Sequence, residues 1–370
     1  MSAERLRVLM LSKACVVGIY QRKLEHIAQH SIDLLTLVPP SWRDERGEQR
    51  LERVYTDGYR LEAIPLRLNG NFHLHHYPTL GAHIAAFVPH IVHIDEEPYN
   101  LATWQALVHA QRMGAKTLFF SWQNIARRYP PPFAWGERWV LNTVDYALMG
   151  TDSAAQVWRA KGYRGKLAVI PQFGTDPDLF QPLSARPDRP FTIGYIGRLV
   201  SEKGVHLLLE AAAALPGEWQ LRIVGGGPQR ATLAAQAAQL GITQRIVWVG
   251  QVASTEMPAQ MHTLDALVLP SLTRPHWKEQ FGRVLVEAMS SGVPVIGSSS
   301  GAIADVMGDG GIVFPEGDVQ ALQRALHSLQ ASPGLREGLA VQGRARVLAH
   351  FTHQQVAAAT VAVYRELVTR

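Results

Sequence analysis

Glu279 and Glu287 stand eight residues apart in the stretch 278–296, which reads KEQFGRVLVEAMSSGVPVI. Phe281-Gly282 follows the first acid, a run of helical period carries the second, and Ser290-Ser291-Gly292 ends that run. The first turn of a helix leaves backbone N–H groups unpaired, and with the helix dipole they make an anion site. Gly282 has no Cβ, so a ligand can come close to the backbone there. One acid before such a helix and another a turn inside it suit an anionic ligand rich in hydroxyls. Phosphate would sit on the N–H groups and hydroxyl protons would go to the carboxylates, which is the chemistry of a sugar nucleotide. The plain alternative is a surface helix whose acids complement its dipole, and for either Glu alone that is the simpler account.

A second cluster is Gly197-Arg198-Leu199-Val200-Ser201-Glu202-Lys203-Gly204. Arg198 and Lys203 can together neutralise a diphosphate, Arg as a planar fork and Lys as a point charge. A solvated loop of mixed charge is the competing reading. Gly225-Gly226-Gly227-Pro228 lacks the spacing of a dinucleotide fingerprint. His73, His75 and His76 have no Cys or acid spaced to complete a metal site, so solvated imidazoles on a loop are the expectation there. Asp95-Glu96-Glu97 reads equally as a contact for substrate hydroxyls or as a solvated loop. The aromatic run 129–139 can line a pocket or touch a membrane, with core packing of Trp135 and Trp139 the simpler account.

These residues need elements to hold them. Residues 6–11, 32–38, 64–68, 91–94 and 117–121 read as strands, and 22–29, 80–87 and 101–113 as helices. Residues 41–60 read as loop or edge structure. Strands follow at 191–196, 220–224, 246–249, 266–269, 293–296 and 311–314. Helices are expected at 207–215, 230–240, 318–330, 334–349 and 353–369, the last with apolar Val356, Ala359, Val363 and Leu367. Short apolar strands alternating with helices predict doubly wound parallel sheets. Ligands of such sheets bind beyond the carboxyl ends of the strands, which points to the loops at 12–20, 95–100 and 121–133.

At 370 residues the chain is long enough for two domains. Hydrophobic residues make up 47% and charged residues 18%, a globular balance. The formal charge of +5 is spread along the chain with no basic tail, so nucleic acid has no support. A pI near 9.4 permits contact with an anionic membrane surface without requiring it. Cys15 is the single cysteine, which rules out an intrachain disulfide and fits a reducing compartment. The first residues lack a signal-peptide pattern and no apolar run reaches the ~20 residues of a membrane span, so a cytoplasmic protein is expected.

The Arg198/Lys203 loop, the Gly-Pro turn at 227–228, Pro270-Ser271, the Glu279–Glu287 pair and the run 301–306 (GAIADV) occur in the order seen in glycosyltransferase family 4, which the chain resembles. The likeness is strong from about residue 165 onward and mostly architectural before it. It implies the GT-B fold, with two doubly wound Rossmann-like domains facing across a cleft. Residues 1–178 would form the acceptor side, 179–352 the nucleotide-sugar side, and a C-terminal helix at 353–370 would cross back to the first domain.

The resemblance also implies a retaining, metal-independent transfer needing no cofactor, in the synthesis of cell-surface polysaccharide, glycolipid or glycoconjugate. By position, Arg198 and Lys203 correspond to the grip on the donor diphosphate, and Glu279 to the carboxylate on the donor sugar. Gly18, Gly197, Phe281, Gly282, Arg283 and Val284 would supply backbone close to the donor. Glu287 would hold the ribose hydroxyls. Glu97, Trp122, Gln123 and Asn124 fall on the acceptor side, where a carbohydrate, lipid-linked or small-molecule acceptor would bind. The sequence departs from the family in three places. No His follows the strand leading to Gln123, the glycine-rich first loop is reduced to Val17-Gly18, and Asp305 stands where Glu is more usual. An epimerase or hydrolase of the same fold would need further acid–base residues, and a sugar-nucleotide-binding scaffold would bind without turnover.

Overall fold

The apolar runs become strands buried on both faces. The computed structural model describes residues 5–44, 47–184 and 189–369. The chain forms two compact units: residues up to Gly174 together with those from His353 onward, and Thr175–Thr352.

In the first unit the strands are β1 (Leu6–Leu11), β2 (Ile32–Val38), β3 (Ser41–Asp44), β4 (Gly47–Arg50), β5 (Arg60–Ala63), β6 (Ile91–Ile94), β7 (Lys116–Ser121), β8 (Tyr146–Met149) and β9 (Lys166–Val169). Seven of them pair in parallel in the order β5-β2-β1-β6-β7-β8-β9, while β3 and β4 form a separate antiparallel hairpin. Leu9 and Leu11 pack into the cluster that holds Leu107 and Trp158, and Val8 and Met10 into the cluster that holds Val356, Val361 and Tyr364. Two covered faces explain why β1 reads as a continuous apolar run rather than an alternation. The second cover is the helix His353–Val368, whose Tyr364 hydroxyl lies 2.6 Å from Nδ1 of the buried His93.

The second unit has β10 (Phe191–Ile196), β11 (Trp219–Val224), β12 (Ile246–Val249), β13 (Ala266–Leu269), β14 (Val295–Ser298) and β15 (Gly311–Phe314). All pair in parallel, in the order β12-β11-β10-β13-β14-β15. In each unit the order reverses beside the first strand, between β1 and β6 and between β10 and β13. Loops leaving such a pair diverge and open a crevice at the carboxyl ends.

Several elements differ from the sequence expectation. The strand expected at 64–68 lies at Arg60–Ala63, because Pro65 has no N–H for the ladder. The strand expected at 293–296 starts at Val295, just after Pro294, for the same reason. Residues 41–44 and 47–50, expected as loop or edge structure, pair as the antiparallel strands β3 and β4. Residues 122–170, where periodicity offered no elements, hold the helices Phe133–Thr143 and Asp152–Ala160 and the strands β8 and β9. Ala359 is exposed, and Ala357, Thr360, Val361 and Tyr364 join Val356, Val363 and Leu367 on the buried face.

Candidate active site

In the second unit, β10 runs into Gly197-Arg198, then into a short turn over Ser201–Lys203, and Gly204 opens the helix Val205–Ala213. Gly204 has φ 65°, and a Cβ there would sit 2.0 Å from the carbonyl oxygen of Pro270. The loop after β10 therefore lies backbone-to-backbone on the loop after β13, a contact only glycine allows. That contact delivers Lys203 to Glu279. Lys203 Nζ donates to Glu279 Oε2 at 2.6 Å, and Ser271 Oγ donates to the same oxygen at 2.8 Å. The ammonium also lies 5.0 Å from the centroid of the Trp277 ring. Glu279 is buried, and its own carbonyl is packed so tightly on Gly301 that a Cβ there would come within 2.0 Å of the oxygen.

Arg198 is held through its carbonyl, which accepts from the Tyr195 hydroxyl at 2.7 Å. Burial, with Glu279 adding to it and Arg198 opposing it, pushes that hydroxyl up from its ordinary value, so it stays a donor. The glycines 225–227 serve packing. A Cβ on Gly225 would meet the Gly197 carbonyl at 2.1 Å, and Leu199 N–H donates to the Gly226 carbonyl at 2.8 Å. They wall in the loop that carries Arg198.

Gly282 is left-handed, with φ 75°, and caps the helix Arg283–Ser290. The first N–H groups of that helix thus begin three residues after Glu279, with Phe281 and Val284 on either side and each partly buried. Glu287 is buried one turn further in, where Arg283 Nε donates to its Oε1 at 2.8 Å. Burial raises the Glu287 carboxyl and Arg283 opposes the rise. The fold thus joins Lys203, Ser271 and Glu279 directly, while Glu287 takes Arg283 as its partner. Ser271 and Trp277 were missed as contacts of the Lys203–Glu279 pair. The signal for Ser271 was its place just beyond the end of β13.

In the first unit, the ends of β1, β6 and β7 bring Lys13, the acids 95–97 and residues 121–124 together. The three adjacent acids have three different fates. Asp95 accepts from Ser12 Oγ and, at 2.9 Å, from Gln172 Nε2, and burial pushes its carboxyl up. Glu96 is also penalised by burial, but Lys13 and His75 outweigh this and hold it at about 2. Glu97 accepts from Ser121 Oγ at 2.6 Å and from Trp122 N–H at 3.0 Å, yet burial lifts it to about 7. None of the three is the solvated loop acid that was the competing expectation.

Trp122 donates from its indole to Gln172 Oε1 at 2.7 Å. Gln123 and Asn124 are buried, and Gln123 Nε2 donates to the Ile125 carbonyl at 3.1 Å while Lys161 donates to its Oε1 at 3.3 Å. Two expectations are corrected. His75 is fully buried against Trp42 and Tyr77, so the imidazoles at 73–76 are not a solvated set. Trp135 is exposed rather than packed in the core. Gly18 gives its N–H to Glu52 Oε2 at 2.6 Å, and Val54 would lie 2.4 Å from a Cβ there, so that amide faces a carboxylate of the chain itself.

Two family models match the chain: "Glycosyl transferase 4-like domain" over residues 24–172 and "Glycosyl transferases group 1" over residues 178–346. The chain is 36% identical over 193 residues to a glycogen synthase of Mycobacterium tuberculosis, covering 50% of this chain and 45% of that protein. It is 32% identical over 188 residues to the 2-deoxystreptamine glucosyltransferase of Streptomyces kanamyceticus, covering 46% and 47%. With the D-inositol 3-phosphate glycosyltransferase of Mycobacterium marinum it shares 28% over 262 residues, covering 65% and 54%. The chain spans about half the length of the curated relatives it matches. Among solved structures, the sucrose-phosphate synthase of Thermosynechococcus elongatus superposes with a TM-score of 0.73 at 21% identity, covering 99% and 100% of the two chains. A glycosyltransferase from Rickettsia africae gives 0.75 at 15% identity over 100% of both. At these identities the likeness speaks for the fold, which is GT-B.

Proposed function

The chain belongs to glycosyltransferase family 4, and from that premise we propose that it is a retaining, metal-independent hexosyltransferase that moves a sugar from a nucleoside diphosphate to an acceptor hydroxyl. The observation that carries the reading is the Lys203–Glu279–Ser271 contact beside the glycine-capped helix at 283–290. An ammonium has three donors, so Lys203 can keep Glu279 and still reach a phosphate oxygen. Arg198, on the same loop, supplies the second positive charge.

In the transfer, the acceptor oxygen bonds to the anomeric carbon as the bond from that carbon to the diphosphate oxygen breaks. The acceptor's proton passes to the departing oxygen on the same face. Arg198 and Lys203 stabilise the charge that gathers on the diphosphate, which is where preorganised electrostatics contribute most. Glu279 orients the donor sugar through its hydroxyls, and the N–H groups at 282–284 face the phosphates. Glu287 takes the ribose hydroxyls. Glu97, Trp122, Gln123 and Asn124 hold the acceptor, whose recognition by an amide and an indole replaces the His more usual in the family.

Calorimetry with UDP, GDP and ADP tests the donor site. One of the three binds, and Lys203→Ala weakens it at least tenfold, as loss of a charge-assisted hydrogen bond should. No binding of any of them at millimolar concentration would overturn the reading. Anomeric proton couplings of the product report retention, and an inverted product refutes it. Transfer is expected to survive EDTA, and a loss that Mg²⁺ or Mn²⁺ restores refutes metal independence.

A further inference from the structure

Directly after the acceptor-side residues 122–124, the segment 127–138 turns its cations and its largest ring outward. Arg127, Arg128, Trp135 and Arg138 are exposed, with three prolines at 130–132 between them. Trp135 leaves 68% of its area in solvent, where tryptophan is on average among the more buried residues. The helix Phe133–Thr143 sets this arrangement. Gly136 lies flat on Trp104, Val140 and Leu141 are buried, and Glu137 turns inward to Lys161. The one acid of the segment is therefore buried and paired, and the outer face is cationic and aromatic. Arg128 and Arg138 form no ion pair among the described residues. The loop at 68–74 extends the surface: His73 lies 5.0 Å from the Phe133 ring and 5.5 Å from Tyr129, and Leu68, Phe72 and Leu74 around it are exposed.

We propose that this face docks the first unit onto an anionic lipid bilayer, with Trp135 and Phe72 entering the headgroup layer and Arg127, Arg128 and Arg138 meeting lipid phosphates. The match is chemical. An indole has an apolar body and one polar N–H, which suits the membrane–water boundary. A guanidinium fork pairs with phosphate oxygens. Three arginines with no exposed acid among them attract a negative surface, each worth about fivefold in binding. Docking here brings the bilayer to the segment that follows Trp122, Gln123 and Asn124, so an acceptor anchored in lipid would be presented to them. That consequence rests on the transferase reading; the docking does not.

Co-sedimentation of the full chain with vesicles tests it, using phosphatidylcholine alone and an equal mixture with phosphatidylglycerol. Binding to the mixed vesicles at low salt and little binding to the neutral ones is expected. The double variant Arg128→Gln/Arg138→Gln should bind about 25-fold more weakly, at about fivefold per arginine. Trp135→Ala should also weaken binding at an unchanged melting temperature. The variant Arg112→Gln/Arg324→Gln removes the same charge from exposed positions outside the face and should bind like the parent chain. No binding to mixed vesicles overturns the proposal. So does an equal loss in the Arg112/Arg324 variant, which would trace the attraction to net charge. Binding abolished by salt but untouched by Trp135→Ala would also overturn it, pointing to an acidic protein as the partner.

Discussion

Glu97→Gln tests whether the first unit holds a carboxyl near neutrality. Glu97 sits at the carboxyl end of β6, where burial raises it from 4.5 to about 7 against the pull of Ser121 and the Trp122 N–H. Its folded value lies above its unfolded one, so the folded state holds the proton more tightly. Below pH 4.5 both states are protonated and the group costs nothing. Between 4.5 and 7 the unfolded chain gives up its proton first and stability falls, and above 7 the whole cost is present. At 1.36 kcal/mol per unit the ceiling is about 3 kcal/mol, and the partial exposure of Glu97 brings this to the order of 2 kcal/mol. Gln cannot titrate, so the variant should gain about 2 kcal/mol on the parent chain between pH 5 and pH 8. Hydrogen exchange of peptides covering β6 and β7 reads this as a roughly thirtyfold change in the variant-to-parent ratio. Intrinsic exchange rates and the other titrating groups cancel in that ratio. A ratio that stays within twofold at the two pH values would show that Glu97 is an ordinary carboxylate.

Glu279→Ala should abolish transfer while the melting temperature of the second unit stays within a few degrees, because Lys203 retains Trp277; near-normal turnover by the folded variant removes Glu279 from the donor site. Glu287→Ala should weaken the preferred nucleoside diphosphate and leave pyrophosphate affinity unchanged, and an equal loss for both ligands in calorimetry would contradict the ribose role. Gly282→Ala places a Cβ 3.0 Å from the Leu269 and Leu285 side chains, which can yield, so its cost should approach the ~1–2 kcal/mol of a left-handed residue. Gly204→Ala drives a Cβ to 2.0 Å from the backbone oxygen of Pro270, so it should cost more than Gly282→Ala in melting temperature and also weaken nucleotide binding by displacing Lys203. If the two glycine variants prove equal in both readouts, the loop contact does not position the site.

Periodicity in the chain is enough to read most strands of the two parallel sheets, β8 and β9 excepted, and to single out residues whose types suit chemistry. Strands such as β1 are covered on both faces, so their side chains had to be apolar without interruption, and that run is visible at any position of the chain. The spacing of Glu279, Gly282 and Glu287 put an acid, a residue without a Cβ and a second acid a turn inside the helix within reach of one another, because helix geometry is local, while the left-handed φ of Gly282 became visible only in the structure. Partners and protonation were decided by tertiary structure alone. Lys203 meets Glu279 across 76 residues because Gly204 lets one loop rest on another. Asp95, Glu96 and Glu97 look alike in the chain, but a different set of neighbours comes to each from β1, β7 and residues 75 and 172. Trp158 is buried and Trp135 exposed, though both are tryptophans on helices, because only one of their helix faces has a sheet beneath it. Local pattern records which faces must be covered. What covers them, and hence which charge is paired or left open, is set by segments far away in sequence.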